Sequence, residues 1–300
     1  MRALAVLTLA LPAWCMPPRL LLTSADGDEG FSLSLSLSSL RDPASIIACV
    51  EDETSTRSRA LAAIHIDVRQ PTRALIECFE GASYALLLPP LSQEREHVGI
   101  QLINASLVAR DAGRPGLHLS GVFLLSVIGA EREHVPASMR AYATLERRLA
   151  DAWGPAPGAL VLRTAFYQQN LLLWARDARH EHALRLPLSE SGCFAPLSSS
   201  DVAAVVAQLA ISDEAPVSVA FRDAGVAVLR GGGSPALELA GPAWLNGSSL
   251  ATLATVSTGT KLSFEAVGAD DAVGMLHMTG LDLSEAQLLV DLLTVQVRYV

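Results

Sequence analysis

Three hundred residues, half of them apolar and only 18% charged, are enough to bury a sizeable core. A formal net charge of −9, with Lys261 the only lysine and no cluster of arginines, excludes a phosphate-tracking nucleic-acid face. The four cysteines (Cys15, Cys49, Cys78 and Cys193) form no Cys-x-x-Cys pair, which argues against a zinc site or a dense disulfide framework and predicts reduced, partly buried thiols.

Residues 1–15 look like a short signal peptide, a single arginine followed by an apolar run too brief to span a bilayer. The strand-and-turn pattern that follows at once belongs to a nucleotide fold served by a cytoplasmic cofactor pool. The stretch is therefore read as an N-terminal extension of uncertain status, with Met16 as an alternative start. The expected setting is cytoplasmic, away from the membrane, as a monomer or homodimer.

Short Val/Ile/Leu-rich runs then alternate with longer amphipathic stretches, the pattern of βαβ units. Strands are predicted at Arg19–Thr23, Ser45–Val50, Ala63–Ile66, Tyr84–Leu88, Val122–Ser126 and Gly158–Arg163. Helices are predicted at His97–Ala112 and Ala137–Trp153. In the latter, Met139, Tyr142, Leu145, Leu149 and Trp153 share one face by their three- and four-residue spacing. Phe31–Leu40, FSLSLSLSSL, has the alternation of a strand but the position of the first crossover, and the topology predicts a helix. Pro187–Pro196 reads as loop, Ser200–Ala210 as a capped helix, Gly231–Gly233 as a turn, Ala236–Leu239 as a strand and 248–258 as a helix. The expected architecture is α/β: a Rossmann-type doubly wound parallel sheet over residues 16–180, with a smaller α/β lobe over 181–300 on its substrate side.

The segment Leu20-Leu-Leu-Thr-Ser-Ala-Asp-Gly-Asp-Glu-Gly30 carries the main chemical signal. Gly27 and Gly30 supply two-thirds of a G-x-x-G-x-x-G turn, with Ser24 in the first glycine's place. Glycine there lets backbone N–H groups approach a pyrophosphate at a helix N-terminus. Thr23, Ser24, Asp26, Gly27 and Gly30 are the candidate cradle, although Asp26, Asp28 and Glu29 bring negative charge to it; a plain surface turn is the alternative. Glu51 and Asp52 follow the second strand, where a carboxylate accepts from a free ribose hydroxyl and repels a 2′-phosphate, which favours NAD over NADP. Asp67 is a candidate for the adenine edge, or a turn former.

Further segments add a family likeness: His65-Ile-Asp67, Glu80–Pro90 (EGASYALLLPP), Gly121–Ser126 (GVFLLS), Glu146–Leu149 and Leu162–Leu171 (LRTAFYQQNL). Ser200-Asp201-Val-Ala203 and Leu239-Ala-Gly-Pro242 complete the series. Their order resembles the NmrA-like branch of the atypical short-chain dehydrogenases over residues 19–265. Leu124–Ser126 with Val135–Met139 is similar to the ergot-alkaloid festuclavine dehydrogenase subgroup.

The resemblance implies that Leu88, Pro89 and Ser126 border the cofactor and that Pro90, Phe166 and Tyr167 border a substrate. Ser126 and Tyr142 are the candidate catalytic residues, Arg163 and Asn170 organise loops, and no metal is expected. The Tyr-x-x-x-Lys pair of many dehydrogenases is missing, because Tyr142 is followed by Glu146. Three functions remain open. One is an NAD(P)H-dependent reductase passing hydride to an already activated, iminium-like small molecule. Another is a non-catalytic dinucleotide sensor that binds a regulatory protein partner. The last is a fold that has lost its cofactor.

Overall fold

The computed structural model describes residues 18–111, 116–154, 158–210 and 235–299. The N-terminal extension, Cys15 and the Gly231–Gly233 turn lie outside them. Seven parallel strands form the central sheet in the order β3-β2-β1-β4-β5-β6-β9. They are β1 (Leu20–Leu22), β2 (Ile46–Cys49), β3 (Asp67–Arg69), β4 (Tyr84–Leu87), β5 (Gly121–Val127), β6 (Ala159–Thr164) and β9 (Ala236–Leu239). This is the doubly wound Rossmann arrangement, and its strand order reverses between β1 and β4, where such sheets open a crevice at their carboxyl ends.

Both faces of the sheet are covered, which is why the inner strands β1, β2, β4 and β5 are almost wholly apolar, whereas the edge strand β3, Asp-Val-Arg, is half-buried. Leu20 and Leu22 join the core under α1 (Asp28–Ser38), while Leu21, between them, joins the core under α3 (Arg95–Asp111) and α4 (Arg140–Trp153). The serine-rich alternation does fold as helix α1. Leu33 and Leu37, four apart, are buried, and Leu35 is left 39% exposed. Small serines let α1 lie close to α6 (Ser199–Leu209), with Ser32 Oγ and Ser199 Oγ 2.8 Å apart.

Three expectations fail. The third strand begins at Asp67, not Ala63, because α2 (Thr56–Ala63) runs on to Ala63 and His65, at φ 68°, turns the chain. The stretch read as loop contains β8 (Gly192–Phe194), which pairs with β10 (Leu245–Asn246) and β12 (Arg298–Tyr299). Cys49 and Cys78 form a disulfide, with their Cα atoms 5.7 Å apart. The return from β3 through the Leu75–Phe79 turn brings together two residues that are 29 apart in sequence. Cys193 is free and buried.

Residues beyond 180 supply the last strand of the sheet as well as the lobe. That lobe includes α5 (Ala175–Glu181), β7 (Ala183–Leu186), α7 (Gly247–Thr258), β11 (Ser263–Ala266), α8 (Ala269–His277) and α9 (Leu283–Val295). Its own core, with Phe166, Trp174, Phe194, Leu289 and Leu293, closes over the carboxyl end of β5 and β6.

Candidate functional site

The turn after β1 is held by side chains that the sequence marked. Thr23 Oγ1 accepts from the Leu88 N–H at 2.8 Å, and Ser24 Oγ donates to the Leu88 carbonyl at 3.0 Å, stitching β1 to the end of β4. Ser24 has φ 48°, so it occupies the left-handed conformation for which glycine is the usual residue, and the bond to Leu88 helps to hold it there. Gly30 is required by close approach: a Cβ there would lie 2.2 Å from the Ser24 carbonyl oxygen. Gly27 caps α1 with no side-chain acceptor, leaving the first-turn N–H groups to the cleft.

Asp26 lines the cleft at the start of α1. Its carboxylate accepts from the Glu51 and Asp52 N–H groups at 3.1 Å and ties the turn to the loop after β2. Asp28 pairs with Arg57, a residue the sequence gave no reason to single out; Arg57 also donates to the Asp26 carbonyl and lies over the Phe31 ring. Ser24, Gly27, Arg57, Leu88, Pro89 and Pro90 border a cleft of about 360 Å³ together with five carboxylates, Asp26, Asp28, Glu29, Glu51 and Glu285. Pro90, expected to border a substrate, lines this cleft. Asp67 stands at the start of β3, with its carboxylate taken by Arg19 at 2.5 Å and Arg69 at 2.6 Å. Nothing in that arrangement brings it to the cleft.

Beyond Asp28, Glu29, Pro89 and Leu91, which border both spaces, lies an apolar cavity of about 340 Å³. Ser126, Tyr142, Phe166, Tyr167, Asn170, Leu289, Leu292 and Gln296 are on its wall. Ser126 is committed elsewhere: its Oγ donates to Glu146 at 2.6 Å. Glu146 occupies the place of the missing lysine and is salt-bridged to Arg163 at 2.7 Å. Tyr142 sits beneath the Arg95 guanidinium, 4.9 Å from its ring centre, and burial pushes its pKa up to about 12. Phe166 packs edge-on against Phe194, anchoring the cavity wall to the lobe core.

Glu29 is the acid that sequence reasoning missed. It was read as one more charge near the phosphate, but the first turn of α1 carries it to the boundary between cleft and cavity. Burial raises its pKa to about 7, against the opposing pull of the Tyr167 hydroxyl and the Arg95 charge. Gln296 was missed as well, since a glutamine at the end of an apolar helix gives no signal before the lobe closes.

No family model and no curated protein sequence matches the chain. Solved structures do match in fold. An NADPH-dependent quinone oxidoreductase from Escherichia coli, complexed with NADPH, is 23% identical over 92% of this chain and 88% of its own, with TM-score 0.69. The triphenylmethane reductase of Citrobacter sp., complexed with NADP(H), is 17% identical over 93% and 89%, with TM-score 0.68. NmrA, a negative transcriptional regulator in complex with NADP, is 15% identical over 84% and 75%, with TM-score 0.57. The chain thus has the fold of the NmrA-like atypical short-chain dehydrogenases.

Proposed function

We propose that the chain is an NmrA-like, dinucleotide-dependent reductase of a small-molecule acceptor. The observation that carries this reading is the join between a glycine-lined helix N-terminus at the strand-order reversal and an apolar cavity of substrate size. What favours a pyrophosphate here is the room at Gly27, the uncapped first-turn N–H groups of α1 and Arg57 on the same cleft, which offsets one of its five carboxylates by pairing with Asp28. When bound, a reduced nicotinamide supplies hydride. The chain's part is to orient cofactor and acceptor and to exclude water with Leu125, Phe166, Leu289 and Leu292. A non-catalytic dinucleotide sensor acting on a protein partner would use the same cradle, but it has no need of the adjoining apolar cavity.

NAD(H) is the preferred cofactor in this reading, because Glu51 borders the cleft where a 2′-phosphate would sit. Isothermal titration should show NADH binding about tenfold tighter than NADPH. NADPH binding more tightly would reverse the preference, and failure of both to bind would remove the reductase reading itself.

The acceptor carbon is activated, iminium-like in its electron deficiency, since no lysine lowers the Tyr142 pKa for proton transfer. Tyr142→Phe should therefore keep the steady-state rate within about threefold, whereas a general acid contributes on the order of 10²–10⁴-fold. A hundredfold loss with cofactor affinity preserved would make Tyr142 the proton donor.

A further inference from the structure

Two buried donors on the cavity wall are not fully used by the fold. Gln296 is 8% exposed, and its Oε1 is fixed by the Phe166 N–H at 2.6 Å. Its Nε2 has no hydrogen-bond partner among the described residues. The Tyr167 hydroxyl is also buried and makes no hydrogen bond of good geometry, with the Glu29 carboxyl and the Thr164 hydroxyl as its neighbours. A buried donor without an acceptor is destabilising, so the unused Gln296 amide, on the same apolar cavity wall as the loosely held Tyr167 hydroxyl, suits a ligand atom that accepts.

We propose that the cavity holds its substrate by a carbonyl-type oxygen, bound by the Gln296 amide and the Tyr167 hydroxyl, and that Glu29 supplies this oxygen's proton through Tyr167. The reaction rests on the reductase reading, while the oxygen site stands without it. Protonated Glu29 donates to the Tyr167 oxygen, which leaves the Tyr167 O–H free for the substrate. Hydride from the reduced nicotinamide dinucleotide forms the new C–H bond, and the C=O π pair moves onto oxygen. That oxygen takes the Tyr167 proton, Tyr167 takes the Glu29 proton, and the Glu29 carboxylate regains one from solvent at the cleft. The cofactor loses two electrons and the acceptor gains them. The activated acceptor is then a conjugated carbonyl compound; an iminium cation has no oxygen to receive either donor.

The ionisable groups around Glu29 are Asp26, Asp28, Glu51, Arg57 and Glu285 along the cleft, and Arg95, Tyr142 and Tyr167 toward the cavity. Arg57 faces Asp28 and Asp26 carries backbone N–H groups, so Arg95 is the cation that acts on Glu29. Above neutral pH the Glu29 carboxylate accepts from Tyr167 instead and withdraws that donor from the ligand.

The test is the binding of 9-fluorenone against fluorene, its oxygen-free analogue, to the purified protein. The wild-type chain should bind fluorenone at least tenfold tighter than fluorene at pH 6. Tyr167→Phe and Gln296→Glu should each cut that preference below threefold; the second keeps an acceptor for the Phe166 N–H, so the wall stays intact. The fluorenone affinity should fall about tenfold between pH 6 and pH 8.5, and Glu29→Gln, whose amide still donates to Tyr167, should hold it constant and high. No preference in the wild type, a preference unchanged in both wall variants, or an unaltered pH dependence in Glu29→Gln overturns the proposal. Loss of dinucleotide binding alongside a preserved fluorenone preference would instead sink the reductase reading and leave the oxygen site standing.

Discussion

Arg163→Met should destabilise the fold by about 3–5 kcal/mol, the range for removing one partner of a buried ion pair. Both side chains of the Arg163–Glu146 pair are only 11% exposed. Burial works against the charge on Arg163, and the Glu146 carboxylate outweighs it, lifting the arginine pKa above its ordinary value. In the variant Glu146 would keep only the 2.6 Å bond from Ser126 and remain a nearly unpaired carboxylate between β5, β6 and α4. Urea denaturation reads the loss directly. Glu146→Leu combined with Arg163→Met should recover part of it, because no buried carboxylate is then stranded; Glu131 and Glu238, the other partners of Arg163, are more than a third exposed, while the buried Ser126 hydroxyl loses its acceptor. A single variant that costs under about 1 kcal/mol would show that water already reaches the pair.

Gly27→Val should abolish dinucleotide binding, with at least a hundredfold loss by titration, while the melting temperature stays close to wild type. Gly27 has φ −67° and ψ 164°, a conformation open to any residue. An added Cβ would meet only the Ser24 carbonyl oxygen, at 3.2 Å, so the branched side chain fills the space left for a phosphate and little else. Gly30→Ala is the contrasting variant. Its Cβ would fall 2.2 Å from the same carbonyl and 2.8 Å from Ala25 Cα, both backbone atoms that cannot step aside. That change should lower stability and binding together. Wild-type affinity in Gly27→Val would move the phosphate site away from this turn.

Much of the cradle was readable in advance, since its residues lie within one strand, one turn and one helix start. Thr23, Ser24, Gly27 and Gly30 meet there because they are neighbours in sequence. Asp67 shows the limit of that logic. A four-residue error in the start of the third strand moved its carboxylate from an expected strand end to the strand start, beside Arg19 and Arg69. Ser126 was expected to border the cofactor and to take part in catalysis, and it lies on the cavity wall. Only the packing of α4 on β5 reveals that Glu146 claims its hydroxyl.

The sequence by itself determined the doubly wound sheet, because strands buried on both faces must be continuously apolar and parallel pairing demands crossover helices. It even settled FSLSLSLSSL, where the need for a crossover outweighed an alternating pattern. The tertiary structure alone decided what the cavity contains. Glu29, Tyr167 and Gln296 lie more than a hundred residues apart, and each is an ordinary polar residue until the lobe closes over the sheet edge. Burial then raises the carboxyl's pKa, sets the hydroxyl beside it and leaves the amide unused, and burial depends on the whole fold, not on local pattern.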